Sequence, residues 1–331
     1  MSSTLDPARV VRLARFHRVQ ALVWNAIAAL PDSRRSAFES LAADATEIAG
    51  ANLRATAACA GLLAAFEQAG LRLLFLKGLP LGMLAYGSAT LKSAVDIDLL
   101  VAPGELGEAA ALIEGQGYRL VIPKVVPGGG ALRRWHRIRK ESLWAHPRST
   151  VQLDLHTSVA DNPRLIPSIG LSSPTRRVDV GNGVSLPALE PTETFAYLAV
   201  HGASSAWFRL KWISDFAALL AGASPDEIET LYRQSQELEA GRAPAQALLL
   251  ADRLFGTLES HPSLRAELMA EGAVRRLYRA ALEQLAGRTE PVEPTSRRLG
   301  TLRIHWTQFL LLPGMRFKLS ELARQARSAL A

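Results

Sequence analysis

The chain is short of cysteine, of lysine and of long apolar runs. A single cysteine, Cys59, excludes an internal disulfide. It sits in the alanine-rich stretch RATAACAGLLAAF, where a small thiol fits a buried helix face. No unbroken apolar run approaches the roughly 18 residues of a membrane span, and the N-terminus has no secretory apolar region. The arginines of ARVVRLARFHRV fit an amphipathic helix as well as a transit peptide. These absences predict a cytoplasmic protein with no membrane partner. Internal repeats and low-complexity tails are also missing. Only six of the 38 basic residues are lysine, at 77, 92, 124, 140, 211 and 318. The net charge of +7 admits an anionic partner, but so much arginine beside so much alanine reads as compositional bias. An apolar content of 48% with 21% charged residues is that of an ordinary globular protein. A length of 331 residues has room for two domains, or for one α/β core with helical additions.

Residues 1–69 read as a helical segment. In DPARVVRLARFHRVQALVWNAIAAL, Asp6 is a candidate N-cap and Pro7 the first helical position, with Pro31 ending the unit. A second helical stretch runs to Gly70. The pattern then changes. LRLLFLKG (71–78) predicts a buried strand, LPLGMLAYG a short helix, VDIDLLVA a second strand, PGELGEAAALIEGQG a helix and YRLVIP a third strand. KVVPGGGALRRWHRIRK reads as a loop, followed by strands in SLWAHP and TVQLDLHTSV. RRVDVGNGVSLPALE reads as a hairpin around Gly-Asn-Gly. From Pro191 the chain reads as helical, broken at GASPDE, GRAP, ESHPS and TEPVEPTS. The predicted class is α+β. A small mixed β-sheet core (70–190) is flanked by the N-terminal helical segment (1–69) and a C-terminal helical domain (191–331).

SAVDIDLLVA sets two aspartates, Asp96 and Asp98, at the head of an apolar strand. Alternation puts both on one face, and two like charges there are costly unless something positive lies between them. Just ahead, the first strand ends in Lys77-Gly78 and turns directly into a helix. That junction offers free backbone N–H groups at a positive helix terminus. Further on, Asp154 and His156 share a face of VQLDLH. A third carboxylate beside the first pair makes a site for a divalent cation such as Mg²⁺.

Strand–Lys-Gly–helix–Asp-x-Asp–strand–Asp resembles the nucleotidyltransferase superfamily with a DNA polymerase β-like core. More closely, the chain resembles a bacterial family of uncharacterised nucleotidyltransferases. FHRVQALVW, LFLKGLPLGMLAYGSATLKSAVDIDLLV, GQGYRL, DLH and HGASSAWFRLKWISD match that family's motifs across roughly residues 10 to 255. The chain departs from the family in one carboxylate, having aspartate at 154 where glutamate is more usual. The wider superfamily places Gly-Ser nearer its aspartates than Gly78 stands here. A literal Gly87-Ser88 lies closer, but it follows the helix, whereas Lys77-Gly78 opens it, and Lys77-Gly78 is the better candidate.

The resemblance implies a Mg²⁺-dependent enzyme that moves a nucleoside monophosphate from an NTP, as substrate, to an acceptor and releases pyrophosphate. Asp96, Asp98 and Asp154 are the expected metal-binding and catalytic residues, with two Mg²⁺ ions. Lys77 and Gly78 are expected to bind the nucleotide phosphates, and His156 to lie near the metals. The resemblance also turns His201 and Lys211 towards the cleft. Three other uses of such a site are open: an RNA-modifying, tRNA-directed transferase; a catalytically inactive nucleotide-binding or antitoxin-like module; and a kinase releasing NDP. The acceptor is open among small molecule, peptide, protein and RNA, and the oligomeric state is unassigned. Arg133, Arg134, Arg137, Arg139 and Lys140, with Trp135, read as a solvated surface unless they bind RNA. Lys92 reads as a solvated loop lysine. At i, i+4, Lys211 and Asp215 are expected to pair, as are Trp212 and Phe216.

Overall fold

A computed structural model describes residues 6–92, 96–126, 130–286 and 300–330. The chain opens with helices α1 (Pro7–His17), α2 (Gln20–Ile27), the single turn α3 (Asp32–Arg35) and, after a 3₁₀ turn, the long α4 (Glu39–Gln68). Strands and helices then alternate as β1 (Leu74–Phe75), α5 (Leu79–Tyr86), β2 (Asp96–Leu100), α6 (Leu106–Gly115), β3 (Arg119–Ile122), α7 (Gly130–His136), β4 (Glu141–Ala145) and β5 (Gln152–His156). A hairpin follows, β6 (Thr175–Asp179) and β7 (Ser185–Leu189). The remainder is helical: α8 (Pro191–Ser204), α9 (Leu210–Leu219), α10 (Pro225–Glu237), α11 (Ala243–Phe255), α12 (Pro262–Ala270), α13 (Gly272–Ala286), α14 (Leu302–Gln308) and α15 (Met315–Leu330).

The main sheet is mixed, as expected of the α+β class, in the order β1-β2-β5-β4-β3. β2 and β5 are parallel at its centre and the other pairs antiparallel. Both faces are covered, which is why the strands read as near-continuous apolar runs. Leu74, Leu76 and Leu100 pack on the C-terminal helices, among Phe195, Val200 and Ile213. The alternate residues Leu73, Phe75, Ile97 and Leu99 pack against α4 and α6 through Leu62, Phe66, Ala109 and Ile113. Alternation along β2 therefore aims Asp96 and Asp98 at the C-terminal helices.

Several expected elements differ. The first predicted helix is two, broken at Arg18, which adopts a left-handed conformation and donates to the Ala14 and Arg15 carbonyls. The break has a tertiary cause. His17 is buried, and its Nδ1 accepts the Leu210 N–H at 3.1 Å, while the Arg209 guanidinium donates to the Phe16 carbonyl. The end of α1 thereby caps the start of α9. The loop expected over 124–140 contains α7, whose Leu132 is buried beneath it. The hairpin forms its own two-stranded sheet instead of joining the main one. One stretch, Asp32–Gln68, holds an 18-residue window apolar enough to cross a membrane by composition, with mean hydropathy 1.3. Its Ala55, Cys59, Leu62 and Phe66 are core residues here. The predicted break at TEPVEPTS and the lead-in residues 93–95 of the Asp-x-Asp strand lie outside the described residues.

Candidate functional site

Register builds the site. β2 and β5 pair Asp98 with Asp154 and Leu100 with His156. β4 then sets Glu141 opposite His156. Directly paired residues point to the same side of a sheet, so Asp96, Asp98, Asp154, His156 and Glu141 share one face. Glu141 is a carboxylate that the sequence pattern did not single out.

Asp98 is the anchor. Its Oδ1 accepts from Lys77 Nζ at 2.7 Å and lies 3.2 Å from His156 Nε2. Burial alone would raise its pKa; Lys77 and His156 outweigh that and hold the carboxyl well below its usual range. Asp98 and Lys77 together supply the charge balance that the sequence demanded. Asp154 goes the other way. Burial, then the neighbouring charges of Asp96, Asp98 and Glu141, push its pKa up to about 8. The second nitrogen of His156, Nδ1, lies 3.4 Å from Glu141 Oε2, and Lys140 Nζ lies 3.3 Å from the same oxygen.

Ligand atoms of Asp98, Asp154 and His156 all come within 4.8 Å of one another. Asp96 stands outside that tight group, on the same face and in the lining of the adjoining cleft. Four carboxylates on one face, one of them with its pKa raised by burial and by the others, form a donor set suited to a hard divalent cation.

In front of this face, between the sheet and α8–α9, lies a narrow cleft. Lys77, Gly78, Asp96, Asp98, His201 and Lys211 all line it. Asp154 and His156 adjoin it through their pairing with β2. Gly78 caps α5 with φ 67° and ψ −126°, a conformation open to glycine and strained for other residues. Gly87-Ser88, at the far end of α5, is not part of the lining; Ser88 Oγ instead bonds Thr90 Oγ1 at 2.9 Å.

α8 and α9 supply the opposite wall, and the turn between them is tight. Ala206 and Trp207 both adopt positive φ, and the Trp207 indole lies directly against Gly202. A β-carbon at 202 would stand 2.4 Å from that ring, so the close approach requires glycine. His201 packs between Tyr197 (5.9 Å) and Trp212 (5.7 Å, edge-on). Burial, helped by Lys77 and Lys140, lowers the His201 pKa well below its usual value. Lys211 has no ion-pair partner among the described residues. Burial first, then Lys92 and Lys77, push its pKa down to about 7.

Three side-chain expectations are corrected here. The Asp215 carboxylate is held by Lys92 at 3.0 Å and by the Tyr86 hydroxyl at 2.9 Å, not by Lys211. Lys92 is only 7% exposed and lines the cleft, so it is not a solvated loop lysine. Trp212 packs on Phe208 and His201, leaving Phe216 to Phe195 and Trp207. In the basic stretch, Arg139 donates to the Ser328 carbonyl and Trp135 Nε1 to the Glu141 carbonyl, while Arg133, Arg134 and Arg137 stay exposed. Lys140 turns inward. Four of the six lysines (77, 92, 140 and 211) thus gather at one site in a chain whose other cations are almost all arginine.

Comparison with known proteins agrees with the motifs. No curated protein matches the chain. A family described as "Uncharacterised nucleotidyltransferase" matches residues 3–256, from the first helix through the sheet to the end of α11. With most of its length and the whole of this cleft inside the match, the chain belongs to that family of nucleotidyltransferases.

Proposed function

We propose that the protein transfers a nucleoside monophosphate from an NTP to an acceptor in a Mg²⁺-dependent reaction. One observation carries this reading: a cleft that sets a strand–glycine–helix junction and three lysines against two aspartates on a central strand. Inorganic charge alone does not distinguish a nucleotide from another anion; the family does. A larger hollow on the other side of α9 has no charged lining residue, so a polyphosphate finds nothing to bind there.

Lys77, Lys211 and the Gly78 backbone hold the β and γ phosphates at the start of α5. Asp98, Asp154 and His156, with Asp96 beside them, would hold the divalent cation. When bound, it would supply positive charge to the transferring phosphate and to the leaving pyrophosphate. Trp212, half-buried on the cleft wall, offers an aromatic edge or face to the base. In the transfer, an acceptor hydroxyl or amine forms a bond to the α-phosphorus. The bond from that phosphorus to the bridging oxygen of the β-phosphate breaks, and pyrophosphate leaves. Asp154, ionised once a bound cation has displaced its proton, takes the acceptor's proton.

The test is incubation with each NTP and Mg²⁺, with products read by mass spectrometry against candidate acceptors. Nucleotidyl transfer predicts pyrophosphate and an acceptor heavier by one nucleoside monophosphate. Release of NDP with a phosphorylated acceptor would make the protein a kinase.

A further inference from the structure

We propose that Lys92 is a further phosphate-contacting residue, held in the cleft by a buried latch made of Asp215, Tyr86 and Asn52. The inference rests on the reading of the cleft as a nucleotide site and extends it to residues outside the Asp-x-Asp and Lys-Gly motifs.

Lys92 lies on the segment that leaves α5, a place where a long cationic side chain would ordinarily reach into water. Here both partners of the Lys92–Asp215 ion pair are buried, with side chains 8% and 5% exposed. The second Asp215 oxygen accepts from Tyr86 on α5 at 2.9 Å. From α4, the Asn52 amide donates to the carbonyls of Ala89 and of Lys92 itself, both at 2.7 Å. Asn52 is 1% exposed. Four separate pieces of chain, α4, α5, the 87–92 segment and α9, thus converge to fix one ammonium group.

A pair that only pinned the segment to α9 would not need to open on the cleft. This one does: Lys92 and Asp215 both line it beside Lys77, Asp96 and Lys211. An ammonium has three donors, and among the described residues Asp215 is the one partner of this one, which leaves donors for a ligand. The residue type fits as well. Lysine is a compact point charge suited to a phosphate oxygen, and this chain otherwise uses arginine almost everywhere. Asp215 and Tyr86 act through Lys92 and are positioning residues. Because Lys92 lines the cleft together with Lys77 and Lys211, the lysines assigned to the β and γ phosphates, it meets those phosphates and not the nucleoside.

The experiment measures calorimetric affinity for Mg·NTP and for the matching NMP on the full chain, beside a thermal melt. Lys92→Met is expected to weaken Mg·NTP binding about tenfold or more, the loss of one charge-assisted hydrogen bond. NMP binding should stay within about twofold. Lys92→Arg should recover part of the NTP affinity, and Tyr86→Phe should lower the NTP-to-NMP preference in the same direction by a smaller factor. Should Lys92→Met fail to fold because Asp215 is stranded, Lys92→Met/Asp215→Leu removes both charges together and takes the same comparison. A Lys92 variant that binds Mg·NTP as tightly as wild type, or that loses NTP and NMP equally, overturns the assignment. A wild-type chain that binds no NTP while its melt is intact overturns the nucleotide reading of the cleft and this inference with it.

Discussion

Asp98 and Asp154 stand side by side on adjacent parallel strands, yet their surroundings pull their proton affinities apart. Asp98 has Lys77 and His156 against it and stays ionised. Asp154 has burial and three carboxylates against it and holds its proton up to about pH 8. A divalent cation must displace that proton. Titration with Mg²⁺ at pH 7, in buffers of different ionisation enthalpy, should therefore release close to one proton, and at pH 9 almost none. Asp154→Asn should abolish the release. If Asp154 acts as base alone, the variant binds NTP normally and turns over roughly 10² to 10⁴ more slowly. Weaker Mg²⁺ binding in the same variant would make it a ligand as well.

Lys77 and Asp98 form a buried pair, so removing one strands the other. Asp98→Asn should cost about 3 kcal/mol or more of stability in denaturant unfolding. Lys77→Met/Asp98→Asn should regain much of that loss without regaining nucleotide binding. Equal stabilities of the single and double variants would mean that the pair is uncoupled.

Lys211 is charged below about pH 7 and neutral above it, because burial and its cationic neighbours oppose the charge. A polyphosphate favours the charged form, so NTP binding takes up a proton. Affinity should fall as pH rises from 7.5 to 9, above the range where the nucleotide itself titrates. Lys211→Arg, which stays charged, should flatten that slope. A wild-type affinity constant across the range would place Lys211 away from the phosphates.

Gly78 and Ser88 test which glycine junction serves the nucleotide. A β-carbon at 78 meets only the Asp96 carbonyl, at an ordinary 3.6 Å, so space alone does not exclude a side chain. The backbone conformation does, at a cost of about 1–3 kcal/mol. Gly78→Val should lose NTP binding by straining the junction and covering its N–H groups, whereas Ser88→Ala should bind as wild type. The reverse pattern would move the phosphates to the far end of α5.

Much of this site was legible in the sequence because its signals are local. Strand parity placed Asp96 with Asp98 and Asp154 with His156, and the Lys77-Gly78 junction needed only a strand next to a helix. The parts that were not legible depend on partners distant in the chain. Glu141 joins the carboxylates only through the β4–β5 register, and nothing around it in the sequence marks it. Lys92 and Asp215 are far apart in sequence, and the local i, i+4 rule gave Asp215 the wrong partner. Their one sequence signal was that both lie in stretches resembling the family's motifs. The break between α1 and α2 was hidden for the same reason: the chain leaves helical geometry at Arg18 where His17 serves α9.

Asp96 offers the most direct test of the nucleotide site, because its carboxylate makes no ion pair among the described residues and its loss strands no buried charge. Calorimetric titration of NTP, with and without Mg²⁺, should be run on wild type and on Asp96→Asn, each checked by thermal melt. The account predicts tight binding by wild type with Mg²⁺, a loss of affinity of about tenfold or more without it, and a similar loss in a fully folded Asp96→Asn. Unchanged Mg·NTP affinity in that folded variant would contradict it.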